Sequence, residues 1–329
     1  MRKSISTLVF LIGFSFFGFP QVNIHSFVNK TDSSNTLRIV NLTKLWTFYT
    51  PFINKSMQLT ITNHKTNHSI ILLPNSKTSF GLNVIHKWFG LGIAFGLSQS
   101  KTNIERFGQT KQFDFQLNSY MRSMVLDFRI QAYKGFYRSD APPNKNDIFP
   151  QAPNFSTYSL GGSLLFFTNK KKFSYKAAYT RSEIQLKSAG SFNYGFYVDM
   201  DGANDPDNFS TLNITRWPNE FNLHSYNSGG IGFIFGYSYT FVIKKFFFFN
   251  LSASPKFGLR YLNYQQSNGD KKTRLIGAGG AIFRLSIGYE GKRLFYGLSS
   301  VSQSNSYSQK GYEIEPKAIV TKLFMGMRF

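Results

Sequence analysis

The sequence predicts an all-β fold, a transmembrane antiparallel up-and-down β-barrel of about 12 strands with 10–14 allowed. Three observations carry that expectation. Apolar and polar residues alternate with period two over most of the chain. Several alternating segments run well past ten residues, whereas globular strands average about 5–6 and tilted membrane strands need about 9–11. The bulky face is aromatic: 18% of the 329 residues are aromatic, 37 of them Phe, while only 16% are charged. A secreted β-sandwich shows similar alternation but needs more charge to dilute so many rings. A barrel wall has lipid against every second residue and needs none.

In chain order, residues 1–20 read as a secretory signal. Arg2 and Lys3 form its basic start, and Leu8 to Phe19 form an apolar stretch too short to span a bilayer. Residues 21–76 are expected to be a periplasmic N-terminal arm, of which 21–55 form either the arm proper or a strand against the barrel, with a hairpin of 56–63 and 67–73 about the polar run Asn63 to Asn67. Residues 77–329 are expected to be the barrel. Its strands are placed at 77–87, 88–99, 110–120, 122–137, 155–169, 171–185, 187–199, 228–243, 244–263, 273–290, 292–306 and 315–329. In 88–98, Phe89, Leu91, Ile93, Phe95 and Leu97 alternate with Gly90, Gly92, Ala94 and Gly96. In 230–241, Ile231, Phe233, Phe235, Tyr237, Tyr239 and Phe241 oppose glycine, serine and threonine. In the last strand Leu323, Met325, Met327 and Phe329 share one face, and Lys322, Gly326 and Arg328 the other. A terminal aromatic on such a strand is how outer-membrane barrels usually close, and it makes the barrel-assembly machinery an expected partner. Counting back from residue 329 places 200–227, 264–272 and 307–314 outside, but also places the long stretch 138–154 on the periplasmic side, where short turns belong. Merging 171–199 into one strand and adding one before 77 would repair that parity.

Charge and cysteine content bound the function classes. Net charge is +22 and there is no cysteine, which excludes disulfides, thiolate metal sites and a lipid-modified N-terminal cysteine. Behind a signal segment, the acidic partners of such a chain are lipopolysaccharide and the phosphates of the lipid bilayer rather than nucleic acid. The expected location is the cell outer membrane.

Two clusters could carry chemistry. Asp199, Asp201, Asp205 and Asp207 surround Gly202 and offer the closely spaced carboxylates that a calcium ion takes. The spacing departs from an EF-hand, and the same residues also build solvated turns. Calcium is the one cofactor the sequence suggests. His224, Ser225 and Ser228 faintly suggest the histidine-activated serine of outer-membrane acyl hydrolases, which attack lipid esters. The offsets do not match, no partner carboxylate is evident, and polar loop residues are the default. Charged residues on the wall must avoid lipid, because Lys or Arg at midplane costs about 2–4 kcal/mol. Asp127, Arg129, Lys176, Glu183, Lys256, Arg260, Arg284 and Arg328 are therefore assigned to the lumen. There they either form an ion-pair network that seals it or line a pore.

Ser174 to Ser191, Gly236 to Lys245 and Met121 to Tyr137 together resemble an uncharacterised family of exported proteins, a domain of unknown function expected to form outer-membrane barrels in Gram-negative bacteria. The likeness covers most of residues 40–329 and implies location and architecture only. The functional expectation is a structural barrel or one for passive transport of anionic solutes, with a lipid-ester hydrolase as the alternative.

Overall fold

The computed structural model describes residues 38–329 except 87–88, 207–222, 245, 267–270, 292 and 310; the expected signal segment lies outside them. The elements in order are β1 (Ile39–Asn41), β2 (Thr47–Asn63), β3 (His68–Leu73), β4 (Ser79–His86), β5 (Phe89–Gly96), α1 (Lys101–Phe107), β6 (Lys111–Tyr120), β7 (Met124–Arg138), β8 (Gln151–Phe167), α2 (Tyr175–Tyr179), β9 (Glu183–Gln185), β10 (Ala189–Asn204), β11 (Leu223–Ile243), β12 (Phe247–Gln266), β13 (Lys271–Glu290), β14 (Leu294–Gln309) and β15 (Tyr312–Arg328).

Ten antiparallel strands close a ring in the order β2, β15, β14, β13, β12, β11, β10, β8, β7, β3 and back to β2. The β2–β15 seam runs from Asn63 opposite Tyr312 to Thr47 opposite Arg328. Trp46 and Phe329 extend it by exchanging both backbone hydrogen bonds, at 3.0 and 2.9 Å. The wall therefore begins at Thr47 rather than at 77. The segment expected to be a periplasmic arm supplies two ring strands, and the expected hairpin about Asn63 to Asn67 is their connection.

Alternation sorts the wall as the chemistry requires. Phe192, Phe196, Val198, Ile231, Phe233, Phe235, Phe257, Leu259, Phe283 and Leu323 point outward and are exposed. An uncovered apolar belt of this extent, far beyond the few hundred Å² typical of soluble monomers, is a lipid-facing surface. Rings gather at one rim: Trp46 stacks on His86 with centroids 4.3 Å apart, Phe48 meets Phe329 at 6.0 Å, and Tyr289 meets Phe247 and Tyr296, each at 5.3 Å. That is the aromatic girdle of a membrane barrel. The turns at this rim (121–123, 244–246 and 291–293) are short, except for 168–188, which folds back into the lumen, and 139–150 lies at the opposite rim. The parity conflict disappears because 171–185 is not a wall strand, which moves 139–150 to the opposite rim; two ring strands, β2 and β3, precede residue 77.

Strands of 16–21 residues are longer than the about 9–11 that span a bilayer. Toward the loop rim the pattern inverts. On β2, Gln58, Thr60 and Thr62 face out while Met57, Leu59 and Ile61 are buried inside. The surplus length is thus a water-facing extension with its own apolar interior. That interior cluster also takes Leu72 of β3, Tyr133 and Phe136 of β7, Phe155 of β8, Ala203 of β10, Tyr226 of β11, Leu262 of β12, Tyr307 of β14 and Ile314 of β15. It crosses the lumen and packs it shut.

At the short-turn rim the lumen is filled by residues between β8 and β10. Here 171–185, expected as a strand, instead folds inward as the five-residue α2 followed by β9. Ser174 caps α2, accepting from the Ala177 amide at 3.1 Å, and β9 pairs with β1 rather than with the wall. Phe173 and Tyr175 join a second core with Val125, Leu165, Phe167 and Ile234.

One side of the wall is irregular. Below β3 the chain breaks at 74–78, and β4 resumes along the lower part of β2, from Ser79 opposite Ile53 to Ile85 opposite Thr47. β5 pairs with β4, and β6 pairs with β7. Among the described residues no backbone pairing joins β5 to β6. Above them β7 continues past a bulge at Gly135 and meets β3 through Leu72 opposite Arg138 and Leu73 opposite Tyr137.

Candidate functional site

Between the two packed ends lies a cavity of about 540 Å³, within the range of small-molecule sites. It exists because the strands around it place small residues inward: Gly92 of β5 and Gly161 and Ser163 of β8 all line it. The plug forms its floor through Tyr179, Thr180 and Arg181, and Arg129, Asp199, Lys256 and Gln303 form its roof.

The roof is an ion-pair network centred on β10, β12 and β14, joined by Arg129 of β7 and Ser228 of β11. Arg260, 1% exposed, reaches both Asp199 and Asp201 and donates to Ser228 Oγ at 2.6 Å. Tyr307 donates to Asp201 Oδ1 at 2.6 Å. Asn305 donates to Asp199 Oδ2 at 3.1 Å, and Lys256 lies 3.7 Å from the same oxygen while donating to Asn305. Arg129 stands 4.0 Å from Asp199 and bonds Gln303. A second group holds Asp127 between Arg284, which pairs with it, and Asn118, which donates to it at 2.6 Å. Such charges are tolerated in an interior only when each meets its opposite and its hydrogen bonds are filled.

The third group anchors the plug. Glu290 pairs with both Arg181 and Arg328, and Arg328 also donates to the Arg181 carbonyl at 2.8 Å. Arg181 donates to Ser286 Oγ at 3.0 Å and lies over the rings of Phe248 and Phe324 at 4.3 and 4.4 Å. Tyr179 donates to Asn250 at 2.9 Å and stacks on Tyr120. Within the plug, burial pushes the Tyr179 hydroxyl well above its ordinary range. Burial also lowers the Arg181 guanidinium, against the opposing pull of Glu290.

The eight residues assigned to the lumen are distributed as follows. Asp127, Arg129, Lys256, Arg260, Arg284 and Arg328 stand on the inner face of wall strands, joined in these three groups. Lys176 and Glu183 belong to the plug, where Glu183 accepts from Ser174 at 2.6 Å. The four aspartates assigned to a calcium loop are placed as follows. Asp199 and Asp201 are strand residues neutralised by Arg260, Asp205 is buried apart from that pair, and Asp207 lies outside the described residues. Among the described residues no three acidic or histidine side chains gather around a metal-sized space. The hydrolase candidates fare similarly. Ser228 is buried and held by Arg260, Ser225 sits on β11, and the His224 side chain lies outside the described set.

Sequence reasoning missed three features. Asp114 of β6 accepts from Lys55 of β2 at 2.9 Å, and from Gln131 and Tyr133 at 2.7 Å each. Lys322 lines the cavity; its place on the inner face of the last strand was readable from alternation. The Glu290 anchor gave no sequence signal, since nothing local links 181, 290 and 328.

These features define a transmembrane β-barrel with a plugged, ion-paired lumen. The chain belongs to the family described as a domain of unknown function, DUF4421, whose model matches residues 39–329. No curated protein sequence matches it. Solved structures with some likeness include the toluene transporter TodX of P. putida (6% identity, 88% of this chain and 92% of that one, TM-score 0.24). Neisserial surface protein A shows 7% identity over 85% and 95%, with TM-score 0.22. The monoaromatic hydrocarbon channel CymD shows 9% over 87% and 89%, with TM-score 0.26. Likeness at this level says nothing of what this barrel handles.

Proposed function

We propose that this protein is an outer-membrane barrel whose lumen is a closed binding chamber rather than an open axial pore, and that it acts without catalysis. The observation that supports this most is the packing of the lumen at both ends around the cavity: an apolar cluster drawn from nearly every ring strand above, and the α2–β9 plug below. The short-turn rim faces the periplasm by the usual asymmetry of such barrels. Exposed Lys170, Lys171 and Lys172 then lie at the periplasmic surface, and Lys134 and Lys271 lie at the outer one, where lipopolysaccharide phosphates are the natural counter-charge. Excess positive charge makes any solute handled by the chamber an anion by preference, the passive role expected from the sequence.

Planar-bilayer recording on the purified, heat-modifiable protein tests this reading. The expected result is no steady conductance; brief openings, where they occur, should reverse at potentials that mark anion preference in a salt gradient. A stable open channel in every insertion contradicts the closed axis.

A further inference from the structure

The chamber is closed along its axis but not sideways. Leu91 of β5 and Phe115 and Leu117 of β6 lie on the outward face, 55%, 48% and 51% exposed, yet they border the same cavity as inward Asp199, Lys256 and Lys322. One space can touch both faces of a wall only by passing between strands, and β5 and β6 are the neighbours that share no pairing. The opening is framed rather than accidental. Asn75 at its top donates to Thr110 Oγ1 at 2.8 Å and to the Gly108 carbonyl at 2.8 Å, and Gln99 donates to Asn75 at 2.8 Å. Lys55 and Asp114 bridge β2 and β6 across the break at 74–78. Below these ties the two edges stand apart within the lipid-facing band, in its periplasmic half.

Lys322 supplies the chemical character. It is the one cavity-lining cation that no carboxylate neutralises among the described residues: Arg129 and Lys256 share Asp199, and Arg181 has Glu290. The nearby Lys55 is already taken by Asp114. An ammonium drawn out of water without a counter-charge is costly, and a bound anion removes that cost.

We propose that the opening between β5 and β6 is a lateral portal. Through it an amphiphile with an alkyl chain and one anionic head group, carboxylate or phosphate, passes from the periplasmic-side leaflet into the chamber. Its head group pairs with Lys322, and its chain lies against Leu91, Phe115 and Leu117. This rests on the chamber reading but is tested without any current, so failure of either is visible separately.

The full chain is folded into phosphatidylcholine nanodiscs and exposed to a diazirine-bearing palmitate analogue, with crosslinked residues mapped by mass spectrometry. Labelling is expected on β5, β6 and chamber-lining residues. Excess palmitate or 1-palmitoyl lysophosphatidate should compete, the stronger of the two naming the head group, and hexadecanol should not. Lys322→Met should reduce chamber labelling at least tenfold. Gly92→Phe, which fills the chamber where an added Cβ already meets Asn83, should do the same, with both variants still heat-modifiable. Labelling confined to outward belt residues such as Phe233, equal competition by hexadecanol, or chamber labelling unchanged in folded Lys322→Met each overturns the proposal.

Discussion

At the residue scale, Arg260 shows how a barrel interior accepts charge. Its guanidinium spans Asp199 and Asp201 and donates to Ser228, while Tyr307 and Asn305 donate to the two carboxylates; only its Nε is left without a partner among the described residues. Removing one partner of a buried pair strands the other, at about 3–5 kcal/mol. Arg260→Ala should therefore lower the unfolding midpoint sharply, read as the temperature at which the heat-modifiable band is lost. Arg260→Met combined with Asp201→Asn should recover most of that loss, because the shape is kept and Asp199 still has Lys256 and Arg129, so no charge is stranded. Equal loss in both variants contradicts a mutual neutralisation. These residues were legible in the sequence as inward-facing charges. Their pairing was not, because the partners Asp199 and Arg260 are on different strands, and a run of aspartates on one strand reads locally as a cation site.

At the element scale, the irregular side of the wall depends on one bulge. Gly135 sits at φ 91° where the β7–β8 register shifts, and a Cβ there would meet the Gln109 carbonyl at 2.2 Å. Thr110 Oγ1 donates to the Gly135 carbonyl at 2.7 Å, which fastens the top of β6 to the bulge. Gly135→Ala should loosen this corner. Hydrogen exchange measures it: amides of 111–115 should lose protection while the β11–β13 sheet keeps its own, and unchanged exchange at β6 contradicts the anchoring role. The sequence showed β5 and β6 plainly as strands, since Phe95 and Phe115 alternate with smaller or polar partners. It could not show that they fail to pair, because pairing leaves no mark on a single strand's pattern. The plug was misread for a related reason. Ser174 to Gln185 alternates well enough to pass for a strand, and a five-residue helix is too short to impose a 3.6-residue period. β2 was read only as the 56–63 arm of a hairpin outside the barrel, because its outward face turns polar where it leaves the lipid, which hides the membrane signature.

At the scale of the whole molecule, the barrel divides into a lipid-clad lower part and a water-facing upper part, with a chamber between packed ends. That division is read from side-chain polarity alone: Phe233 and Phe235 of β11 against lipid, Gln58 and Thr60 of β2 against water, at different levels of the wall. The aromatic excess and the barrel class were legible because they recur in every strand. The chamber was not, because it arises from small inward residues of separate strands, Gly92 on β5 and Gly161 and Ser163 on β8, lining one lumen. The absence of native cysteine makes single labels clean. Nitroxides placed by cysteine substitution at 115, 233, 235, 257, 58 and 60 in a reconstituted bilayer test lipid cover most directly. Positions 115, 233, 235 and 257 should collide readily with oxygen and poorly with a water-soluble nickel chelate, and 58 and 60 should show the reverse. High nickel access at 233 and 235 would contradict a membrane barrel outright.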